Sequence, residues 1–270
     1  MNNKHFKVEI ANKIAQVAFN RPEKANALHM EAWLEMQTIF ETLSKDKEVR
    51  VVILSGEGKH FCAGIDLELL MSIGGLQGMS CTGKRSEKLR EFIFTLQQTI
   101  NSIEKCSKPV LAAIHNGCLG GGVDIVTACD MRYCTEDAYF SVKEIDLGMV
   151  ADIGTLQRLP KIISSGMAAE MAYTGRKVFG QEAKNIGLVN QHFDSKESMM
   201  EGVLHIATMI ASKSPLSIRG TKEVLLYTRD HSVADSLNYM AIWNAAMIMS
   251  EDLTEAFQAT IEKRPAVFKD

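Results

Sequence analysis

Gly120-Gly121-Gly122-Val123-Asp124 is followed within one short stretch by Glu144 and Asp152. Three carboxylates set among apolar neighbours, beside a backbone that a ligand can approach closely, are suited to moving a proton between two places rather than merely holding a water. The glycines lack Cβ atoms, so their N–H groups can reach a ligand, and a helix starting near Val123 adds partial positive charge there. Such a cradle holds an oxyanion or a phosphate. A phosphate loop would continue with Lys and Ser/Thr, whereas Val123-Asp124 stands here, so a carbonyl oxygen acquiring charge fits better than a nucleotide. Phe61-Cys62-Ala63-Gly64-Ile65-Asp66-Leu67 follows an apolar strand and can supply a second N–H donor at Ala63. Simpler readings remain open: close packing for the glycines, and helix capping for Asp124 near Val123 and for Asp152 near Gly154-Thr155.

The elements that position these residues follow from periodicity. Residues 8–10 and 14–19 flank Ala11-Asn12-Lys13 and read as a hairpin. Proline and polar residues make 21–28 a loop. Trp33, Met36, Phe40 and Leu43 recur at helical spacing, and residues 51–54 form a wholly apolar strand of the kind buried on both faces. Four glycines in 74–83 predict a mobile loop, and Leu89, Ile93, Leu96, Ile100 and Ile103 then mark a helix stopping near Lys108-Pro109. Strands are expected at 110–114, 130–133 and 139–142, with a short helix at 123–129. This alternation predicts an α/β fold. Beyond residue 195 only helices are expected, at 199–212, 216–227, 233–249 and 252–263. This tail holds Trp243 and many of the 15 methionines, a composition suited to core or subunit interface. The chain thus divides into 1–195 and 196–270.

Composition narrows the class. A net charge of −3 offers no electrostatic reason to bind nucleic acid or an anionic membrane surface. No apolar stretch is long enough to span a bilayer. The six cysteines form no CxxC pair and read as buried free thiols of a reducing compartment, and the seven histidines lack zinc spacing, so no metal is expected. The start, MNNKHFKVEI, has neither an apolar nor an Arg-rich leader pattern and reads as cytoplasmic.

Ala63-Gly64-Ile65-Asp66, the run NGCLGGGVDIVTACD, and TLQRLPKII resemble the crotonase (enoyl-CoA hydratase/isomerase) superfamily, and the likeness extends from the hairpin to the final EKRPAVFKD. Within it, VKEIDLGMVADIGTLQRLPKII and TRDHSVADSLNYMA resemble the dienoyl-CoA isomerases. The resemblance implies a spiral core of repeated ββα units and a C-terminal helical region that trimerises, two trimers stacking into a hexamer. It implies that the N–H groups of Ala63 and Gly121 hold the thioester oxygen of an acyl-CoA, with Gly122 adjoining. Adenine and pantetheine would run along Lys24, Ala25, Ala27 and Leu28 and along Ala63, Gly64, Ile65, Asp66 and Leu67. Lys24 either assists a phosphate or is a solvated loop lysine. No cofactor is implied, coenzyme A being part of the substrate.

Hydratases of the superfamily carry glutamate at the positions of both Asp124 and Glu144, and generally glycine at that of Asp152. The added acid implies isomerisation of 3,5-dienoyl-CoA to 2,4-dienoyl-CoA in fatty acid β-oxidation: Asp152 removes the C2 proton, Glu144 returns one at C6, and Asp124 polarises the site, with acid and base open to reversal. The alternative is an enoyl-CoA hydratase adding water to trans-2-enoyl-CoA. A non-catalytic RNA-binding homologue would need a basic strip, and a peptidase a Ser/His/Asp set; neither is found. Among other acids, Glu136-Asp137 reads as a solvated turn and Asp130 as a hydrogen-bonding strand-edge residue. Glu144 and Asp146 read as strand residues, with Asp146 forming a salt bridge, and Arg158 would pair with one of these acids.

Overall fold

The structure is a computed structural model that describes residues 3–270. Strands β1 (Phe6–Ala11) and β2 (Ile14–Phe19) form the expected antiparallel hairpin, with Asn12 and Lys13 at positive φ in its turn. Helix α1 (Met30–Lys45) buries Trp33, Met36, Phe40 and Leu43, and β3 (Val51–Gly56) is buried at every residue. There follow α2 (Leu67–Gly74), α3 (Thr82–Lys105), β4 (Val110–Ile114), β5 (Gly117–Leu119) and α4 (Gly121–Ala128). Next come β6 (Met131–Thr135), β7 (Tyr139–Ser141), α5 (Thr155–Arg158), α6 (Ser165–Thr174), β8 (Val178–Phe179), α7 (Gly180–Asn185) and β9 (Gln191–Phe193). The chain ends in α8 (Lys196–Ala211), α9 (Pro215–Thr228), α10 (Val233–Met247) and α11 (Glu251–Glu262).

The six-stranded sheet runs β1-β2-β3-β4-β6-β9, parallel beyond the first hairpin, and a three-stranded sheet runs β5-β7-β8. Consecutive strands divide between the sheets. β4 lies in the first and β5 in the second, then α4 follows; β6 and β7 repeat the division. Cys62 bridges to Cys118 of β5, so the segment after β3 makes the same step before α2. This is the expected α/β spiral of ββα units.

Both faces of the large sheet are covered. Val52, Leu54, Val110, Ala112 and Ile114 pack toward the cluster of Trp33, Phe40, Ile100 and Val123. Val51, Ile53, Leu111 and Ala113 pack against Met199, Val203, Ala207 and Ala211 of α8. The alternating faces of β3 and β4 explain why those segments read as continuous apolar runs. Helix α8 is therefore part of the core by packing, although it opens the expected helical region.

Two expectations change. Residues 74–83, expected as a mobile loop, are the end of α2, a 3-10 turn at Gly75–Gly78 and the start of α3. Four glycines outweighed the apolar run Leu69-Leu70-Met71 in the sequence reading. Glu144 and Asp146 lie not on a strand but in a 3-10 turn, Lys143–Leu147, where Asp146 pairs with Lys143. Among the described residues no helix is long and apolar enough to cross a membrane. Five of the six cysteines are buried and all are free; burial pushes the thiols of Cys62, Cys129 and Cys134 up to about 12, which leaves them inert.

Candidate active site

The site forms where two loops cross above the start of α4. Gly120 follows β5 at φ +50 and turns the chain into the helix, and a Cβ there would lie 3.2 Å from Glu144 Oε1. Gly64, at φ +83, lies so close beneath that a Cβ would fall 2.7 Å from both the Gly121 nitrogen and the Leu119 oxygen. Only glycine accommodates both the dihedral and the contact. Gly122, expected against substrate, packs on the Cys62 carbonyl, where a Cβ would approach to 2.8 Å.

The backbone donors differ from expectation at one position. The Ala63 N–H donates to the Ala25 carbonyl at 3.0 Å and is not available to a ligand. Leu28 N–H donates to Gly64 O at 2.8 Å and Asp66 N–H to Leu28 O at 3.0 Å, which makes Leu28 and Ile65 a parallel bridge. That pattern turns the Ile65 N–H away from residue 28. Among the described residues neither the Ile65 N–H nor the Gly121 N–H, the first of α4, has an acceptor. Because Gly64 touches the Gly121 nitrogen, these two amides emerge from the same crossing. The correction from Ala63 to Ile65 depends on bridge register, which composition does not reveal.

The loops bearing this crossing are stapled by Asn26, fully buried at φ +56. Its Nδ2 donates to Glu57 O at 2.9 Å, His60 O at 2.8 Å and Phe61 O at 3.2 Å, and its Oδ1 accepts from Arg21 N–H at 2.9 Å. Sequence reasoning passed over Asn26, although a polar residue inside Ala25-Asn26-Ala27-Leu28 was a signal. Asp66 is also engaged: it pairs with Arg21 and accepts from Glu68 N–H at 2.9 Å. Leu28 and Gly64 are buried, Ala25, Ala27, Ala63 and Ile65 half-buried, and Lys24 and Leu67 exposed. Lys24 stands 3.7 Å from Glu68, an exposed pair.

The three acids come together. Asp124, in the first turn of α4, has no solvent exposure. Its Oδ1 accepts from Thr155 N–H at 2.5 Å, so it satisfies the start of α5 rather than capping its own helix near Val123, while Oδ2 is buried without a partner. Glu144 is half-buried, with Oε2 buried and unpartnered. Asp152, on the loop before α5, is exposed. Burial pushes the Asp124 carboxyl up to about 7, helped by the charges of Glu144 and Asp152 and opposed by Thr155. Burial also raises Glu144, with the Asp152 charge adding to it, and raises Asp152. The charges of Glu144 and Asp152 reach Asp124, and that of Asp152 reaches Glu144, so the three lie within electrostatic reach of one another and resist ionising together.

The remaining candidates take structural roles. Asp130 accepts from Val110 N–H and from Lys222, each at 2.7 Å. Arg158 pairs with Glu104 of α3 at 3.1 Å and donates to Asn101 at 2.7 Å, rather than pairing with Asp130, Glu136, Asp137 or Asp146. That partner lies 54 residues away in sequence and was not legible there. One group among the described residues, His5, His29 and Glu31, has ligating atoms within 4.8 Å of one another. His29 Nδ1 accepts the Ala32 amide as the cap of α1, which leaves its proton on Nε2 and makes it a poor metal ligand.

The profile of a family described as enoyl-CoA hydratase/isomerase matches residues 9–270. The peroxisomal Δ(3,5)-Δ(2,4)-dienoyl-CoA isomerase of Arabidopsis thaliana is 49% identical over 94% of this chain and 92% of its own length. The mitochondrial Δ(3,5)-Δ(2,4)-dienoyl-CoA isomerase of Homo sapiens is 49% identical over 93% of this chain and 77% of its own. The crystal structure of an enoyl-CoA hydratase from Bacillus anthracis superposes with a TM-score of 0.89 at 32% identity, covering 98% of this chain and 99% of that one. The names of these relatives overturn the cytoplasmic expectation, since one is peroxisomal and the other mitochondrial. The expectation rested on the pattern of ten N-terminal residues, which does not fix a compartment.

Proposed function

The chain belongs to the enoyl-CoA hydratase/isomerase family, and we propose that within it the chain isomerises 3,5-dienoyl-CoA to 2,4-dienoyl-CoA. The observation that carries this reading is the third acid: Asp152 lies close enough to Asp124 and Glu144 for its charge to raise both.

The thioester oxygen accepts hydrogen bonds from the N–H groups of Ile65 and Gly121. Asp152 takes the C2 proton, and the electrons of that C–H bond form a C1–C2 double bond as the carbonyl pair moves onto the thioester oxygen, giving a dienolate that the diene extends to C6. The electrons then return, leaving double bonds at C2–C3 and C4–C5, and C6 takes a proton from Glu144. A proton passing from Asp152 to Glu144, directly or through solvent, resets the site. The buried, unpartnered Oε2 favours a protonated Glu144 as the acid, which leaves Asp152, the more exposed of the two, as the base. Asp124, held by Thr155, polarises the pair. On this reading coenzyme A arrives as part of the substrate and no separate cofactor takes part; Lys24 to Leu28 and Ile65 to Leu67 border its path.

The test is an ultraviolet assay on a 3,5-dienoyl-CoA with Glu144→Gln and Asp152→Asn. Each substitution is expected to cost on the order of 10²–10⁴ in rate without unfolding the protein. Full activity in Asp152→Asn overturns the reading. One observation favours hydration of trans-2-enoyl-CoA as a second reading: Asp124 Oδ2 and Glu144 Oε2 are both unpartnered acceptors suited to a water. Hydration at a rate rivalling isomerisation would establish it.

Self-association into a trimer or hexamer is part of the same proposal. An apolar groove of about 550 Å³ lies between α8 and α9, and Leu237, Ile242, Phe257 and Ile261 are exposed on α10 and α11. Apolar side chains of this kind on adjoining helices are the surface that subunit contact covers. Sedimentation of the purified protein tests it, a monomer at micromolar concentration being the contrary result.

A further inference from the structure

Helix α3 carries a polar stripe at Gln97, Asn101 and Glu104, spaced so that all three share one face. Every member reaches toward the segment that bears Asp152. Gln97 Nε2 donates to the Asp152 carbonyl at 2.7 Å. Asn101 Oδ1 accepts from Arg158 Nη2 at 2.7 Å, and the two Glu104 oxygens accept from Arg158 Nε and Nη2 at 3.1 Å each. The same arginine lies against Gly154, where a Cβ would fall 1.9 Å from Nη1. Gly154 is at φ +140, a conformation essentially confined to glycine.

The segment 152–154 is thus gripped at its first residue by Gln97 and at its last by Arg158, both anchored to one helix face. The next residue, Thr155, gives its N–H to Asp124. The stripe also walls a polar cavity of about 310 Å³ that Asp124, Glu144 and Asp152 do not line, so the grip comes from outside the reacting groups. Burial opposes the charge on Glu104, yet Arg158 and Arg229 hold its carboxyl below the usual range, so the anchor stays ionised. Arg229 of the segment after α9 reaches Glu104 at 2.6 Å, which ties the C-terminal helices to the grip.

We propose that Gln97 and Arg158 are positioning residues for Asp152, fixing its carboxylate over C2 of the substrate without touching substrate themselves. The proposal rests on the reading of Asp152 as the group that takes the C2 proton. Gln97→Met keeps the length of the side chain and removes the donor. A displacement of about 1 Å at a reacting group costs up to roughly 10²-fold, so kcat of Gln97→Met is expected to fall about tenfold with KM little changed. The acidic limb of its kcat–pH profile is expected to move, because freeing the segment changes the surroundings of Asp152.

The decisive comparison repeats Gln97→Met in an Asp152→Asn background, with single-turnover rates at stoichiometric enzyme. A loss that vanishes in that background supports action through Asp152. An equal loss in both backgrounds, unchanged kcat, or a fall in kcat with an unmoved acidic limb overturns the proposal. Arg158→Lys serves as the second variant: it keeps the charge but not the fork, and is expected to show the same background-dependent loss. Full activity in Asp152→Asn alone would instead sink the reading on which the proposal rests.

Discussion

The two halves of the site are built from different materials. The half proposed to grip the thioester oxygen is backbone: the amides of Ile65 and Gly121 meet at a glycine crossing, and Asn26 staples the loops beneath it. The half proposed to move the proton is side chain: Asp124 on α4, held by Thr155, Glu144 on a 3-10 turn, and Asp152 on a loop whose carbonyl accepts from Gln97. On the proposed reading, the first half is common to isomerisation and hydration, and the second distinguishes them.

The largest expected effect breaks the second half alone. Asp152→Asn or Glu144→Gln should lower isomerisation on the order of 10²–10⁴ while the thermal midpoint stays within a few degrees, read by ultraviolet assay and thermal melt. Breaking the first half comes next. Gly64→Ala places a methyl on the Gly121 amide and strains φ +83. Isomerisation should fall on the order of 10²–10³, with any hydration falling in parallel, because both need the same oxyanion grip. Unequal losses would show that the halves are not separable.

A smaller effect concerns stability. Asp124 takes up its proton more readily folded, near 7, than unfolded, near 3.8. A raised acid contributes stability that is fully present below 3.8 and is lost as pH rises through about 7. Asp124→Asn should flatten that loss between about pH 4 and 8, measured by urea unfolding; an unchanged slope would place the titration elsewhere. The smallest effect belongs to Lys24→Ala. Its side chain is exposed and pairs with Glu68, so KM should rise no more than a few-fold.

The same division explains what the sequence made legible. Helix α1, the buried strands β3 and β4 and the four C-terminal helices announce themselves by apolar periodicity, and so did the three acids by their type. The 3-10 turn at Glu144 has no such signature, because its residues are mostly exposed. Strand β8 is two residues long, and β5 and β9 are three each, too short for alternation to register. That the Ala63 amide is taken by Ala25 and the Ile65 amide is not was illegible, because an amide's direction depends on which strand it bridges. Arg158 and Gln97 find their partners across 54 and 55 residues, a distance no local pattern spans.

The central claim is that Asp152 takes the C2 proton and Glu144 supplies the one at C6. It is tested most directly by following exchange of the C2 hydrogen of a 3,5-dienoyl-CoA in deuterated water. The account predicts that Glu144→Gln still exchanges C2 while failing to isomerise, and that Asp152→Asn does neither. Rapid C2 exchange by Asp152→Asn would contradict it.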